Sequence, residues 1–335
     1  MMLIIELRND LARPSFSDIV YTTQQRGAEE ADVERESLKP PSALSAPAAG
    51  PVMVFRPGGR ARQALRELWD YRNLLWNLVV RDIKVRYKNS VLGVGWSLLN
   101  PLLMMIVFTV VFTVFWPNNQ VANFSAFVLT GLLPWNLFQA SIMGSAYSIV
   151  SNANLVKKVY FPREVLPIAV VLSNVVNFLL ALVVLFPILW LSGIPLTRHA
   201  LWLPVILAIQ VAFTVGLAFF FSTLNVFYRD TAMVLDVGLL AWFFLTPIFY
   251  PMEFIPATKT VMGLTLPVHR LVRWLNPMAS IIDSYRIVLY GSVQGYPPAP
   301  PAIDFMARTG ATALLVLVLG WLFFRRYSGR FGEEV

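Results

Sequence analysis

Cysteine is missing from all 335 positions, which removes disulfides and thiolate metal sites. Histidine occurs only at His199 and His269, far apart and each without neighbouring carboxylates, so the sequence offers no metal-ligating constellation. No G-x-x-x-x-G-K-[ST] loop is present. The PGGR run at Pro57 has the glycines but not the lysine or the strand-to-helix setting, so ATP is not bound by that route. G-x-S-x-G and H-E-x-x-H are also absent, and with them two hydrolase signatures. Charge is scarce, at 14% of residues, where a soluble protein carries about 25%.

Apolar sequence fills the space. Hydrophobic residues make up 57% of the chain and the mean hydropathy is +0.62. From Asn89 to Val156 there is no Asp, Glu, Lys or Arg, and Val165 to Thr197 is equally bare. About 20 apolar residues cross a bilayer as a helix, so the chain reads as a polytopic, all-α membrane protein. Six spans are expected, near Leu98–Trp116, Phe124–Ala146, Val165–Leu191, Leu201–Leu224, Ala232–Phe249 and Arg308–Phe324. The WPNNQ break separates the first two. The sixth is short and is expected to extend back through Phe305, with Arg308 snorkelling to the interface. The opening MMLIIELRND is too briefly apolar for a cleavable signal. Residues 1–60, with the Pro/Ala-rich Pro40–Pro51, read as a disordered tail.

Residues 61–96 are expected to hold an amphipathic interface helix, and 97–335 the six-span domain. Trp76, Val79, Val80, Ile83 and Tyr87 recur at helical spacing, with Asn77, Arg81, Lys84 and Lys88 opposite. Counting Lys and Arg in the flanks orients the spans. With a cytoplasmic amino terminus the inner side gathers fifteen and the outer side six, so both termini are expected inside. The outer segment Tyr250–Ala307 mixes short apolar runs with Pro and Gly. It is either a pair of re-entrant helices or an ordinary outer loop.

Ion-coupled transport needs ionisable groups at depth. Within the spans only Asp236 qualifies, and it lies close to Arg229 and Asp230 at the rim. A conduit with no power source of its own needs a handle for an external one. The cytoplasmic stretch NANLVKKVYFPREVLP, Asn152 to Pro167, has the makings of such a handle. Leu155, Val156, Val159 and Tyr160 would form one face of a short helix, Lys157 and Lys158 another, and Pro162 would end it. Its aromatic edge suits a groove on a soluble partner; a basic loop obeying positive-inside bias is the other reading.

The stretch RDIKVRYKNSVLGVGWSLLNPLL, Arg81–Leu103, resembles the start of the first span in type-2 ABC exporter permeases, the polysaccharide-exporting branch in particular. GLLPWNLF at Gly131–Phe138, the Asn152–Pro167 stretch and LNPM at Leu275–Met278 are similar too, so the resemblance covers about residues 65–330. It implies two copies of the chain forming a pore and two separate ATPase subunits that bind ATP and Mg, with no cofactor on this chain. Asn154, Lys157, Lys158, Tyr160, Phe161, Pro162 and Arg163 would contact the ATPase. Arg81, Asp82, Lys84, Arg86 and Lys88 would line the cytoplasmic mouth, where a lipid-diphosphate head group meets cations. Tyr250–Ala307 would be re-entrant gate helices. The cargo would be a polysaccharide on a polyprenyl diphosphate, O-antigen-like, crossing a bacterial inner membrane. Membrane lipids are further implied contacts, and nucleic acid is not. Phe108, Phe112, Phe115, Trp116, Trp135 and Phe138 would either face the conduit or belong to the interfacial aromatic belt. Teichoic acid, capsule, small-lipid or drug export are alternatives. A membrane glycosyltransferase or polymerase is another, and it should show clustered carboxylates; Asp283 and Asp304 are separated.

Overall fold

The computed structural model describes residues 61–335 apart from 91, 94, 112–113, 115–120, 257, 262–263, 267 and 293–294. The expected tail, the WPNNQ break and Phe112, Phe115 and Trp116 lie outside the described residues.

Two helices, α1 (Ala61–Asp70) and α2 (Arg72–Arg86), come first, interrupted at Tyr71. Trp76 is 62% exposed, and the residues of α2 packed against the protein are Leu78 and Val79, flanked by Leu75 and Ile83. Arg81 Nη1 donates to Asn152 Oδ1 at 3.0 Å and Arg86 Nη2 to Asn174 Oδ1 at 2.8 Å. These two bonds tie α2 to the rest of the chain, and its packed stripe runs Leu75, Leu78, Val79, Asp82 and Ile83 at helical spacing. Asn77, Arg81, Lys84 and Lys88 are all exposed, opposite the packed Val79 and Ile83.

Among the described residues, four helices are long and apolar enough to cross a membrane. They are α4 (Phe124–Ser148), α6 (Val165–Leu191), α7 (Leu203–Phe227, led in by a 3₁₀ turn at Arg198–Trp202) and α11 (Ile303–Ser328). The chain is a multi-pass membrane protein. α11 extends back past Phe305 as expected, but Arg308 does more than snorkel. Its Nη2 donates to the Arg273 carbonyl at 2.6 Å, and its guanidinium lies over the Trp274 ring. α3 (Gly95–Val110) and α8 (Thr231–Leu245) are shorter apolar helices. The expected fifth span ran to Phe249, whereas α8 stops at Leu245. Thr246 precedes Pro247 and is extended, with φ −100° and ψ 131°, as the proline ring requires of the residue before it.

Helices α7 and α11 approach backbone to backbone. A Cβ added at Gly320 would stand 2.0 Å from the Gly216 carbonyl oxygen, and one at Gly216 2.6 Å from the backbone of Val316. In lipid, such small residues let spans pack closely without hydrophobic drive.

The segment before α11 corrects an all-helical expectation. β1 (Lys259–Val261) and β2 (Leu264–Leu266) pair antiparallel, with Thr260 opposite Thr265. Thr260, Val261 and Thr265, β-branched residues that favour strands, lie in the paired positions. Helices α9 (Val268–Leu275) and α10 (Pro277–Leu289) follow. Asn276 starts α10: its Oδ1 accepts from the Ala279 amide, with Pro277 at the first helical position. The same side chain accepts from Trp242 Nε1 at 2.9 Å and donates to Thr246 Oγ1 at 2.9 Å, tying α10 to the end of α8.

Candidate functional site

Arginine 86 ends α2 beside a cavity of about 650 Å³ between α3, α4 and α6, within the usual ~300–1,000 Å³ of small-molecule sites. Its polar lining is Tyr87, Ser97, Asn100, Asn136, Gln139, Asn174 and Asn177. Trp96, Met104, Leu137 and Phe178 are among its apolar walls. Asn174 lies nine residues into α6 and Asn136 twelve into α4. At 1.5 Å per residue that is roughly 14 and 18 Å, about halfway through a hydrocarbon core of ~30 Å. The Tyr87 hydroxyl pairs with Ser97 Oγ and donates to Asn177 Oδ1 at 3.0 Å. Trp135 Nε1 donates to Gln139 Oε1 at 2.9 Å. No carboxylate lines the cavity.

Of the five residues expected at the cytoplasmic mouth, only Arg86 reaches this cavity. Arg81 pairs with Asp82 at 3.0 Å and bridges to Asn152. Lys84 and Lys88 are exposed elsewhere on the surface. Sequence reasoning missed the asparagines. Their signal was available as amides placed mid-span, where a polar side chain is costly, but they carry no charge and so passed a search for ionisable groups.

The Asn152–Arg163 stretch divides into an outer and an inner set. α5 (Ala153–Lys158) is a short helix that ends before Val159, which is extended, so the turn comes four residues ahead of Pro162. Asn154, Lys157, Lys158 and Tyr160 are exposed, Tyr160 by 60%. Val156 and Phe161 are buried at 5% and 6%, packed in a cluster with Leu78, Val79, Val226 and Phe324. Phe161 therefore anchors the segment from behind and offers no face to a partner. Arg163 is half-buried, its guanidinium 5.9 Å from the Phe331 ring centroid in α12 (Phe331–Glu334), and burial lowers its pKa from the ordinary arginine value. Phe331 is itself fully enclosed, with Phe227 and Phe324 as ring neighbours. Glu164 faces Arg325 at 3.8 Å. Burial pushes the Glu164 carboxyl up, further than Arg325 draws it down.

Two of the conduit aromatics take a different place from the expected one. Trp135 and Phe138 are 1% and 0% exposed, locked against Phe243, Phe213 and Trp242. Both lie on the packing face of α4 and form core, so neither ring is free to stack on a cargo. Phe108 meets Phe249 edge to face at 5.9 Å and is half-buried.

Arginine 286 holds the segment before α11 in place. It is 5% exposed, donates to the Pro247 and Ile248 carbonyls, and lies 3.8 Å over the Phe127 ring. Gly131 makes room, since a Cβ there would stand 2.6 Å from Arg286 Nη2. Asp283 pairs with Arg273 at 2.7 Å. Among the described residues no three His, Cys, Asp or Glu side chains gather as a metal site would require.

The profile of the ABC-2 type transporter family matches residues 73–290. A protein of Myxococcus xanthus named O-antigen export system permease protein RfbA is 37% identical over 271 residues, 81% of this chain and 98% of that protein. The protein of the same name from Klebsiella pneumoniae is 32% identical over 265 residues, 78% and 94% of the two chains. The polysialic acid transport protein KpsM of Escherichia coli is 23% identical over 255 residues, 74% and 91%. With its apolar helices, its packed amino-terminal helix and a profile match over most of its length, this chain belongs to the ABC-2 type transporter family.

Proposed function

We propose that this chain is the permease subunit of an ATP-driven exporter that moves a lipid-linked, O-antigen-like polysaccharide from the cytoplasmic to the outer face of a bacterial inner membrane. Two copies form the conduit, and two separate ATPase subunits bind ATP and Mg and supply the energy. α3 and α8 complete six spans, both termini are cytoplasmic, and α9 and α10 form the re-entrant gate. The names of the relatives support the cargo.

The observation that carries the reading is the two-sided build of the Asn152–Arg163 segment. Val156 and Phe161 root it in the core formed by α2, α7 and α11, while Lys157, Lys158 and Tyr160 stand outward. A partner gripping the outer set moves the rooted set with it. Force reaches the spans through packed side chains and not through a flexible loop. Tyrosine is a preferred anchor at such contacts.

The test is Tyr160→Ala combined with Lys157→Glu and Lys158→Glu, in a strain scored for surface polysaccharide. The variant should insert normally, lose the co-purifying ATPase or its stimulation by cargo, and stop exporting. Export at the wild-type level would remove the coupling assignment.

A further inference from the structure

Helix packing alone does not explain the amides around the Arg86 cavity. Where this chain uses amides to join spans, they reach across and lie outside this cavity. Gln210 Nε2 donates to the Pro134 carbonyl at 2.7 Å, and Asn225 Nδ2 to the Ala146 carbonyl at 3.0 Å. Each also leaves its buried side-chain oxygen without a partner among the described residues, so unspent capacity alone marks no site; what sets Asn100, Asn136 and Asn177 apart is that they line open space beside a guanidinium. Asn177 Nδ2 is buried and has no partner among the described residues. No hydrogen bond joins the Asn100 or Asn136 amide to another described residue. For Asn177, whose Nδ2 is sealed, unspent capacity at membrane depth is costly, and polar groups kept there mark a pathway or a ligand; Asn136 is half-buried and Asn100 exposed, both open to whatever fills the cavity.

The chemistry of the lining narrows the ligand. With no carboxylate in the wall, a metal ion or proton is poorly served. An amide offers two donors and an acceptor, the complement of neighbouring hydroxyls on a neutral ring. Trp96 and Phe178 add apolar surface for the ring's C–H faces. Arg86, whose bond to Asn174 goes to a neutral amide, keeps further N–H donors for an anion at the rim. A guanidinium in that position suits phosphate oxygens.

We propose that this cavity is a binding site for a glycosyl phosphate, with ring hydroxyls on Asn100, Asn136 and Asn177 and the phosphate at Arg86. The inference rests on the exporter reading to the extent that it names the part of the cargo the permease grips: the first sugar, not the diphosphate alone. The experiment is equilibrium binding to the full chain with its co-purifying ATPase in nanodiscs, without nucleotide. Three probes are compared: a hexose linked through diphosphate to a farnesyl chain, farnesyl diphosphate without sugar, and free hexose 1-phosphate.

The sugar-bearing lipid should bind more tightly than the sugar-free one. Asn136→Leu and Asn177→Leu should each weaken the sugar-bearing probe about tenfold and leave farnesyl diphosphate unchanged, whereas Arg86→Gln should weaken both. Asn136 carries no internal bond, so its variant decides the matter should Asn177→Leu fail to insert. Asparagine-dependent binding of free hexose 1-phosphate also supports the site and makes the prenyl chain dispensable; its absence assigns the site to the lipid-linked form. Equal wild-type affinity for the two lipids, or undiminished binding in both asparagine variants, overturns the proposal. Intact sugar-dependent binding with no ATPase coupling would remove the exporter reading and leave the site standing. Coupled export without sugar-dependent binding would remove the site alone.

Discussion

Replacing Gly320 by alanine tests whether α7 and α11 are held by direct backbone contact. The added Cβ would lie 2.0 Å from the Gly216 carbonyl oxygen, where ordinary contact begins near 3.4 Å. The two helices must part locally by the difference, 3.4 − 2.0 = 1.4 Å, because the obstacle is backbone and cannot rotate away. A gap of about 0.5–1 Å already forfeits a quarter to a half of each contact's dispersion energy. Overpacking of this kind costs about 1–3 kcal/mol, sometimes more. We expect about 3 kcal/mol for Gly320→Ala, since no flexible side chain absorbs the strain. Gly329→Ala is the control, for nothing lies within 4 Å of a Cβ there. Thermal unfolding in a single mild detergent, read by loss of the monodisperse peak after heating, should show Gly320→Ala several degrees below wild type and Gly329→Ala unchanged. If Gly320→Ala matched wild type, the close approach would be wrong and the packing of α11 would need another basis.

Two further predictions concern charged residues. Because burial raises the Glu164 pKa above its ordinary 4.5, the folded protein holds that proton more readily than the unfolded chain. The contribution is fully present below the unfolded pKa and is lost as pH rises through the folded one. Glu164→Gln should therefore gain on wild type in thermal unfolding as pH rises from 5 to 7.5; a widening loss instead would show that the Arg325 pair outweighs burial. Arg286→Leu should strand the Pro247 and Ile248 carbonyls at a cost of about 3 kcal/mol, read as faster proteolytic cutting within residues 250–300. Arg286→Lys should rescue it only in part, since one ammonium cannot reproduce the guanidinium's fork to two carbonyls, and full rescue would refute the fork.

Much of the span pattern was legible because apolar length is a one-dimensional signal. Val165–Leu191 is bounded by charge at one end and Ser-Gly at the other, and the structure keeps both limits. The polar face of α2 was legible from its period, as Asn77, Arg81, Lys84 and Lys88 are exposed, but the two arginine–asparagine bonds to distant parts of the chain were not. Burial of Phe161 beside exposed Tyr160 could not be told from two adjacent aromatics, as the choice is made by Leu78, Val226 and Phe324. The hairpin at Lys259–Leu266 was hidden by hydrophobicity, which does not distinguish a short strand pair from a short helix. Trp135 looked like a conduit residue for the same reason that it is core: large aromatics serve both.

The enclosure of Phe331 has a practical bearing on how this protein is handled. Only three residues separate that ring from Val335, and it lies against the guanidinium of Arg163 at the end of the Asn152–Arg163 segment. An affinity tag or fluorescent fusion joined directly after Val335 would crowd the surface on which an ATPase is proposed to sit. A spacer long enough to clear α5 would let a labelled protein keep its partner, and comparing short and long spacers would map how far that surface extends.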